Sequence, residues 1–578
     1  MSRNDEIATL LEEFADLLDA KGVEYKPRAY RRAAENIRDF PGAIEGLAAE
    51  GEDSVGEIDA VGDAISSKVV EYVETGEIEE LTELREELPV EMDALTAVEG
   101  VGPKSVGSLY EALGITTLDE LEAAAEAGEI QAVSGFGAKT EQNILDNIDF
   151  AREAHERSLL GEARPYGDRI RSYMAAGDAV TECALGGSIR RWRPTIGDVD
   201  VLVGSTDAEA VVERFADWEG LDRVIESGET KASAYADDVR VDLRIVDPSE
   251  FGAALQYFTG SKDHNVAVRN RAIERDLKVN EYGVFDVEDV EDDDQRAGEL
   301  VASGTEEAVY DALGMDWVPP ELRENRGEVE AAANGTLPDL LAKGEVRGDI
   351  HTHTNWSDGS NSITEMVEGA AAFGHDYLAV TDHATGPGMV GGVGVPDEKL
   401  REQLTEVESV AADASIDVFT GVEANIAADG SVSVADDLLA ELDVVVASPH
   451  AALDGDGTDR LVAAAQHPDV NVIGHPTGRY LNRREGLDVD VERLASVAAD
   501  NDTALEINAN PARLDLGGGA VKQAVEAGAT IAINTDAHSP GNFELLRYGV
   551  HMARRGWAET DNVLNTRDAE GLREFLDA

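Results

Sequence analysis

Three aspartates on two alternating segments have the types and spacing of ligands for the divalent ions used in phosphoryl transfer. Asp198 and Asp200 stand two positions apart, and side chains two apart on a strand share a face. Asp242 lies in a second alternating segment and would complete a three-carboxylate cluster. Two ions about 3.5–4 Å apart can activate a primer 3′-hydroxyl and stabilise the leaving pyrophosphate. Because Mg²⁺ prefers oxygen ligands, the cluster predicts a nucleotidyltransferase site that uses Mg²⁺ or Mn²⁺.

A glycine-rich turn precedes these aspartates and has the groups needed to bind a triphosphate. In Gly186–Arg191, the backbone at Gly187 and the hydroxyl of Ser188 would face phosphate oxygens, with Arg191 as a charge-assisted partner. An isolated Asp-x-Asp strand is more often a solvated edge or a loop cap. The turn before it and the third aspartate after it favour a catalytic site.

Six histidines and several carboxylates follow apolar, strand-like segments in the second half of the chain. In a barrel of parallel strands, the carboxyl ends form the rim where chemistry takes place. A single histidine there is more often structural, but six at equivalent ends favour a metal site. Mixed imidazole and carboxylate ligands suit Zn²⁺ or Mn²⁺, and their number predicts two or three ions that activate water at a phosphorus centre. The six histidines are His351, His353, His383, His450, His475 and His538, and the carboxylates near them include Asp358, Asp382, Glu423 and Asp536.

Three glycine turns near the N-terminus stand between amphipathic helical segments. Each would expose backbone N–H groups beside a helix N-terminus, which can hold a DNA phosphate without recognising sequence. Any one of them could be an ordinary helical turn, but three in one segment favour DNA binding. The residues predicted to contact DNA are Gly62, Gly100, Gly102, Lys104, Gly135, Gly137 and Lys139.

The elements that must position these residues follow from the hydrophobic pattern. Short amphipathic helices run to about residue 150, a helix followed by β-rich segments extends to about residue 247, and mostly helical sequence continues to Trp317. After Val346, strand-like and helical segments alternate as in an α/β barrel or doubly wound sheet. This predicts a multidomain chain divided into residues 1–85, 86–150, 151–248, 249–318, a linker at 319–344, and 345–578.

Bulk composition limits the class of protein. At 578 residues the chain is too long for one core, and its polar N-terminus and lack of long apolar runs predict a cytoplasmic protein without membrane contact. The single cysteine excludes an intramolecular disulfide framework. A net charge of −71 argues against DNA binding unless the acid, which is spread over all regions, is an adaptation to a very salty cytoplasm. An acidic, disordered solubiliser is the alternative, but apolar periodicity persists almost throughout.

The aspartate pattern resembles the nucleotidyltransferase superfamily, and Tyr257–Ser261 narrows the resemblance to the family X DNA polymerases over residues 1 to about 320. The resemblance implies an α+β polymerase core after a helix-hairpin-helix region. It implies that Tyr257 and Phe258 line the sugar pocket beside Gly260, and that Asn265 and Arg269 contact the incoming nucleotide and the template side. Lys262 departs from the polymerase beta branch, which has an acid there.

Two further resemblances concern the ends of the chain. Residues 61–68 align with the lyase subdomain of beta-like polymerases, which implies Lys68 as a Schiff-base nucleophile, with Tyr30 also matching. An ordinary surface lysine is the alternative, because the surrounding acid would raise the amine pKa. From about residue 345, the order of motifs resembles the polymerase and histidinol phosphatase (PHP) domain, a distorted α/β barrel. All nine metal positions of that domain can be matched, and the resemblance implies as ligands His351, His353, Asp358, His383, Glu423, His450, His475, Asp536 and His538.

Taken together, the resemblances imply a bacterial or archaeal family X polymerase with a C-terminal PHP domain, and the acidic composition points to a halophilic archaeon. Gapped or primed DNA and dNTPs would be its substrates, repair proteins are possible partners, and a monomer is expected. Gap filling and 3′-end processing in base-excision repair or end joining are implied. Two alternatives remain: a DNA-end-binding polymerase whose PHP domain is only a structural brace, and a phosphatase acting on a small phosphate ester.

Overall fold

The computed structural model describes the whole chain except residues 1–2, 24–25, 39–43, 57, 59, 99, 156, 237–238, 289, 291–293, 343, 389–392 and 578. The chain forms a helical N-terminal region, a mixed α/β core and a C-terminal parallel barrel, which confirms the predicted fold class. Within the described residues, no helix combines the length and the apolar character needed to cross a bilayer.

The N-terminal region has an apolar core of its own, built from residues at helical spacing such as Leu11, Phe14 and Leu109. A 3₁₀ helix, Ile130–Ala132, precedes the last helix of this region. The helices are α1 (Arg3–Ala20), α2 (Lys26–Arg38), α3 (Ile44–Glu50), α4 (Glu52–Val55), α5 (Asp63–Thr75), α6 (Glu79–Glu87), α7 (Met92–Thr96), α8 (Pro103–Leu113), α9 (Leu118–Glu126) and α10 (Ala138–His155).

Three turns in this region share one backbone conformation. In each, a residue with positive φ is followed two positions later by a glycine that directly precedes a helix: Ala60 and Gly62 before α5, Gly100 and Gly102 before α8, and Gly135 and Gly137 before α10. The residue between them is apolar and donates its N–H to the carbonyl three positions earlier. The structure therefore has a hairpin turn at each of the three predicted places, and Lys104 and Lys139 lie exposed beside the second and third turns.

A five-stranded sheet forms the core that follows. Its strand order is β2-β4-β7-β6-β5, and β4 and β7 are its one parallel pair among the described strands. Alternating valine, leucine and isoleucine side chains bury one face of both strands. The elements are β1 (Ser158–Leu159), α11 (Leu160–Ala175), β2 (Glu182–Leu185), α12 (Gly187–Arg190), β3 (Thr195–Ile196), β4 (Val199–Gly204), α13 (Ala208–Ala216), β5 (Arg223–Ser227), β6 (Lys231–Ala236) and β7 (Val239–Val246).

The next region packs helices against a three-stranded antiparallel sheet of order β10-β9-β8. It contains α14 (Phe251–Thr259), α15 (Lys262–Ile273), β8 (Leu277–Asn280), β9 (Gly283–Asp286), β10 (Glu299–Ala302), α16 (Glu306–Ala312) and α17 (Glu328–Asn334), with 3₁₀ helices at Pro248–Glu250 and Pro320–Leu322.

Within the segment 319–344, predicted to be a linker, the described residues 319–334 pack against the rest of the fold. Arg323 and Glu328 are fully buried there. Arg323 donates to Glu306 at 2.5 Å, and Glu328 pairs with His264 at 2.6 Å. The proline pair and polar composition of this segment did not indicate these contacts, because the partners of its charged side chains are distant in sequence.

The C-terminal region is a nearly closed barrel of seven parallel strands in chain order, with a parallel bridge between Thr352 and Ala537 joining its two edges. Three 3₁₀ helices, Pro540–Leu545, Thr560–Asn562 and Leu564–Thr566, lie near its end. The elements are β11 (Gly348–Asp349), α18 (Ile363–Phe373), β12 (Tyr377–Val380), α19 (Asp397–Ala411), β13 (Asp417–Asn425), α20 (Asp436–Leu439), β14 (Val444–Ser448), α21 (Thr458–Ala465), β15 (Val472–Ile473), α22 (Val491–Asp500), β16 (Ala504–Asn508), α23 (Gly518–Glu526), β17 (Ile531–Asn534), α24 (Leu546–Arg555) and α25 (Ala569–Leu576).

The barrel packs directly on the five-stranded core, and the two share one continuous apolar cluster. Trp192 of the core stacks on His551 of α24 with ring centroids 3.5 Å apart and meets the edge of Tyr548. His551 in turn bonds to Glu321 at 2.8 Å. Aromatic pairs of this kind add to the energy of buried area, so the two regions are held in a defined relation.

Candidate active sites

The three aspartates predicted to bind metal lie together at one edge of the five-stranded sheet. Asp198 directly precedes β4, Asp200 lies on β4, and Asp242 is its register partner on β7. Burial, with the charges of Asp198 and Asp242, raises the pKa of Asp200 to about 7. Burial and Asp242 also raise the pKa of Asp198. Carboxylates crowded in this way favour a bound cation, which removes their mutual repulsion.

The glycine turn closes over Asp200. The N–H of Gly186 donates to the Asp200 carbonyl at 2.8 Å. Gly187 has a φ of +55°, and a Cβ added there would lie 1.9 Å from Oδ2 of Asp200. Only glycine fits this approach, so the turn brings the backbone of Gly187 and the side chain of Ser188 beside the aspartates.

An open cleft of about 530 Å³ begins at Asp198 and Ser188. Its cationic side chains are Arg157, Arg191, Arg193, Lys262 and Arg326, and its other lining residues are Ser261, Asp263 and Glu324. Five cations next to an aspartate cluster suit a metal-bound triphosphate, since charge-assisted hydrogen bonds to phosphate are strong. Of these cations, sequence reasoning predicted only Arg191 as a phosphate ligand.

Glu324 connects the cleft to the barrel. It pairs with Arg191 at 3.1 Å, with Arg193 at 3.4 Å, and with Arg555 of α24 at 3.1 Å. Arg555 is almost fully buried and also donates to the Arg191 carbonyl. Arg191 is therefore held in place by a carboxylate that the barrel helps to position.

The predicted nucleotide-selecting residues surround the C-terminus of α14. The rings of Tyr257 and Phe258 meet edge to face, 5.1 Å between centroids. The amide of Asn265 donates to the carbonyls of Tyr257 at 2.7 Å and of Gly260 at 3.3 Å, so it fixes this turn. Arg269 is exposed on α15 and is not among the residues that line the cleft.

Lys68 occupies a different environment from the one that an amine nucleophile needs. Its Nζ pairs with Glu80 at 2.6 Å and lies 5.2 Å from the ring centroid of Phe14, which stacks on Tyr30. Burial alone would lower the pKa of Lys68, but hydrogen bonds and charge from Glu80 and Tyr30 raise it above its ordinary value. The amine is protonated at neutral pH in this conformation.

All nine candidate ligands of the barrel meet at the carboxyl ends of its strands, with Glu423 at their centre. His383, His475, His351 and His450 approach the Glu423 carboxylate at 2.5, 3.0, 3.3 and 3.3 Å. His353 lies 2.9 Å from Asp536. Asp358 faces His383 at 3.5 Å and His538 at 3.4 Å. Although burial alone would raise it, the neighbouring histidines hold the pKa of Glu423 well below its usual range.

Several side chains that hold these ligands in place were not predicted. Glu506 bonds to Nδ1 of His351 at 2.7 Å, Asn425 to Nδ1 of His450 at 2.8 Å, and Asn508 to Asp536 at 3.0 Å. Such outer partners fix the orientation of a metal-binding imidazole or carboxylate. They lie within or at the ends of apolar strands. A single polar residue in such a strand is the only sequence signal that could have found them.

The donor atoms of this cluster fit bound metal ions. Nε2 of His351, His353 and His450 and Oε2 of Glu423 are buried with imidazole or carboxylate atoms within 4 Å, but among the described residues none of these neighbours has the geometry of a hydrogen bond. Buried polar atoms are rarely left unsatisfied, and ions would be their partners. Three groups have ligand atoms within 4.8 Å of one another: His353, Asp358, His383 and His538; His351, His353 and Glu423; and His383, Glu423 and His450.

Family models match four parts of the chain. A helix-hairpin-helix domain matches residues 2–78, and a SAM-like helix-hairpin-helix tandem matches 92–149. A DNA polymerase beta thumb matches 254–324, and a PHP domain matches 349–510. The matched segments follow the same order as the regions of the fold.

Known proteins resemble either the whole chain or one of its parts. The chain is 24% identical to rat DNA polymerase lambda over 344 residues, 56% of each chain. It is 28% identical to the probable phosphatase Teth514_1060 of Thermoanaerobacter sp. over 244 residues, 39% of this chain and 93% of that protein. It is 34% identical to the DNA polymerase/3′-5′ exonuclease PolX of Bacillus subtilis over 579 aligned positions, 99% of both chains. The chain therefore belongs to the PolX family, the family X DNA polymerases that carry a C-terminal PHP domain.

Proposed function

We propose that this enzyme fills gaps in DNA at the aspartate cluster and removes nucleotides from DNA 3′ ends at the barrel. The observation that carries the first half is the placement of Asp198, Asp200 and Asp242 beside a cleft with five cations. The second half rests on the nine converging ligands of the barrel and on their buried donor atoms that make no well-aligned hydrogen bond among the described residues. The full-length similarity to a polymerase/3′-5′ exonuclease supports this combination.

At the polymerase site, the protein's own groups bind and orient the triphosphate. The Gly187 backbone, Ser188 and Arg191 contact the phosphates, with Arg157, Arg193, Lys262 and Arg326 adding positive charge around them. Asp198, Asp200 and Asp242 would hold Mg²⁺ or Mn²⁺, whose positive charge would favour ionisation of the primer hydroxyl and departure of pyrophosphate.

The sugar and template contacts come from α14 and α15. Tyr257 and Phe258 form the wall beside the deoxyribose, and the turn that Asn265 fixes keeps that wall in place. Arg269, exposed on α15, would contact the template side.

DNA is held by groups that do not recognise sequence. The turns at Gly62, Gly100, Gly102, Gly135 and Gly137 bind backbone phosphates through N–H groups, and Lys104 and Lys139 add charge. Lys68 remains a candidate lyase nucleophile that would have to lose its pairing with Glu80 first.

In the barrel, Glu506, Asn425 and Asn508 hold the ligands so that two or three Zn²⁺ or Mn²⁺ ions can bind. Ions bound there would supply the Lewis acidity that makes a water nucleophilic toward the terminal phosphodiester. A purely structural barrel is disfavoured because the ligand set is complete. A phosphatase acting on small esters is the second candidate, since the barrel resembles a probable phosphatase over 93% of that protein's length.

The cellular setting we propose is DNA repair, by base-excision or end joining, in the salt-rich cytoplasm of a halophilic archaeon, with the enzyme acting as a monomer. The net charge of −71 supports the high-salt setting, because acidic groups are strongly screened at molar salt. Repair proteins remain possible partners.

Two single substitutions test the assignment. Asp200→Ala should abolish extension of a primer on gapped DNA and leave trimming of a 3′-labelled strand intact, and His353→Ala should have the reverse effect. Comparable extension by Asp200→Ala would reject the polymerase site. Trimming that survives both His353→Ala and thorough chelation would reject the barrel as its source, and hydrolysis of small monoesters without trimming would favour the phosphatase.

A further inference from the structure

A short hairpin at residues 479–484, here called the arginine hairpin, projects from the barrel just after the candidate ligand His475. Tyr480 and Arg484 exchange backbone hydrogen bonds of 2.9 and 2.7 Å across it, and Asn482 at its tip has a φ of +59°. Arg479 fixes its base by donating to the carbonyl of Arg513 at 2.9 Å. The hairpin is thus a rigid element of the structure.

The cations of this hairpin lack acidic partners in a chain that is rich in acid. Acidic residues outnumber lysine and arginine by 119 to 48. Nevertheless, in the part of the chain that the structure describes, no ion pair involves Arg479, Arg483 or Arg484. The adjacent Arg513 reaches one carboxylate, Asp536, at the limit of 4.0 Å. Arg479 and Arg484 donate to backbone carbonyls, so Arg483 and Arg513 are the guanidinium groups here that favour an anionic ligand.

An aromatic ring lies among these cations. The guanidinium carbons of Arg483 and Arg513 lie 5.5 and 5.7 Å from the ring centroid of Tyr480. Tyr480 is half-buried and Arg483 is exposed. Proteins that bind single-stranded nucleic acid combine cations for the backbone with aromatic rings on which bases stack. The arrangement can therefore bind both the phosphate and the base of a nucleotide. A site that binds phosphate alone would not need the aromatic ring.

The position of the hairpin relates it to both candidate active sites. On one side, Arg513 lies 4.0 Å from the candidate ligand Asp536. On the other, Asn482 donates to the carbonyl of Arg157 at 2.6 Å. The side chain of Arg157 lines the 530 Å³ cleft beside the aspartates, here called the nucleotide cleft. A strand that leaves the polymerase site for the barrel would therefore meet this hairpin.

We infer that the arginine hairpin and Arg513 bind the single-stranded 3′ end of DNA and direct it into the metal centre of the barrel. Tyr480 stacks on a base near the terminus, and Arg483 and Arg513 contact the phosphates on either side. The inference rests on the proposed 3′-trimming activity and adds the site that distinguishes a DNA strand from a small phosphate ester.

Substitutions in the hairpin should separate strand binding from bond cleavage. Tyr480→Ala and Arg483→Ala are compared with Arg573→Ala, an exposed arginine that pairs with Asp417 at the start of β13, the opposite end of the barrel from the ligands. Trimming of a 3′-labelled single-stranded oligonucleotide and hydrolysis of bis(p-nitrophenyl) phosphate are measured at the salt concentration that best supports wild-type activity.

For each hairpin variant, KM for the oligonucleotide should rise about tenfold, as expected for the loss of one stacked base or one phosphate contact. The ratio of kcat/KM on the oligonucleotide to kcat/KM on the small diester should fall by a similar factor. Arg573→Ala should retain the wild-type ratio. An unaltered oligonucleotide KM in both hairpin variants, or an equal loss on both substrates, would overturn the inference.

Crosslinking tests the same contact without requiring activity. An oligonucleotide with 4-thiothymidine at its 3′ terminus, irradiated with the full-length protein in the presence of a chelator, should crosslink to the peptide that contains Tyr480, and less so in Arg483→Ala. Crosslinks confined to other peptides would refute the hairpin site. If the crosslink forms but no trimming occurs, the proposed 3′-trimming activity fails while strand binding by the hairpin stands.

Discussion

Replacing Gly187 by alanine should inactivate the polymerase site because the new side chain displaces the carboxylate of Asp200. At a φ of +55°, a residue with a Cβ costs about 1–2 kcal/mol of backbone strain. The new Cβ would also lie 1.9 Å from Oδ2 of Asp200, so the carboxylate must move by at least about 1 Å. Displacement of that size at a reacting centre costs on the order of 10²-fold in rate. We therefore expect Gly187→Ala to extend a primer about 10²-fold more slowly and to trim 3′ ends normally.

Gly528→Ala is the matched control for the backbone strain that a Cβ causes at a positive φ. Gly528 also has a positive φ, +89°, but within the described part of the chain no atom lies within 4 Å of an added Cβ. Both variants should lose a few degrees in thermal midpoint, about 2–4 °C per kcal/mol, and only Gly187→Ala should lose single-turnover extension on gapped DNA. Extension by Gly187→Ala within threefold of wild type would refute the role given to the close approach, and equal loss of trimming would indicate general misfolding.

Three further predictions concern other charges in the chain. Glu324→Gln should lower KM for dNTP several-fold, because the carboxylate competes with the triphosphate for Arg191 and Arg193. It should also lower the thermal midpoint, since buried Arg555 loses its counter-charge; an unchanged KM in steady-state extension assays would contradict the competition. Borohydride trapping of a 5′-deoxyribose phosphate on Lys68 should increase from about pH 7 to about pH 9, because Glu80 and Tyr30 raise the amine pKa and only the neutral amine attacks. Equal trapping by Lys68→Ala would reject the lyase role. Extension rate and thermal midpoint should both rise from about 0.1 M toward molar KCl as self-repulsion is screened, and an enzyme that is most stable and active near 0.1 M would oppose the high-salt account.

Sequence reasoning located the parts of both sites that depend on local geometry. Asp198 and Asp200 share a strand face by spacing alone, and the glycine turns define helix starts within a few residues. The barrel ligands were found because each follows an apolar strand, and parallel strands bring such positions to one rim. These signals need no knowledge of which distant elements touch.

The residues that sequence reasoning missed depend on contacts between distant segments. Arg326 and Glu324 line the nucleotide cleft from a segment predicted to be a linker, and Arg555 of the barrel pairs with Glu324. Nothing in the sequence beside Arg555 distinguishes it from an exposed arginine at the end of a helix. Its role follows from the docking of α24 on the core, which is set by packing around Trp192.

The distribution of positive charge shows how so acidic a chain can handle DNA. Only 48 lysines and arginines are present, yet five cationic side chains line the nucleotide cleft and two arginines flank the ring of Tyr480. At about 1 M salt the screening length is only about 3 Å. The net charge of −71 therefore has little effect beyond directly neighbouring groups, and binding depends on hydrogen bonds and ion pairs made in direct contact. Under such conditions a general basic surface would add little to affinity. Cations are most useful where a phosphate touches them, and in this chain two such clusters lie at the polymerase cleft and at the entrance to the metal centre of the barrel.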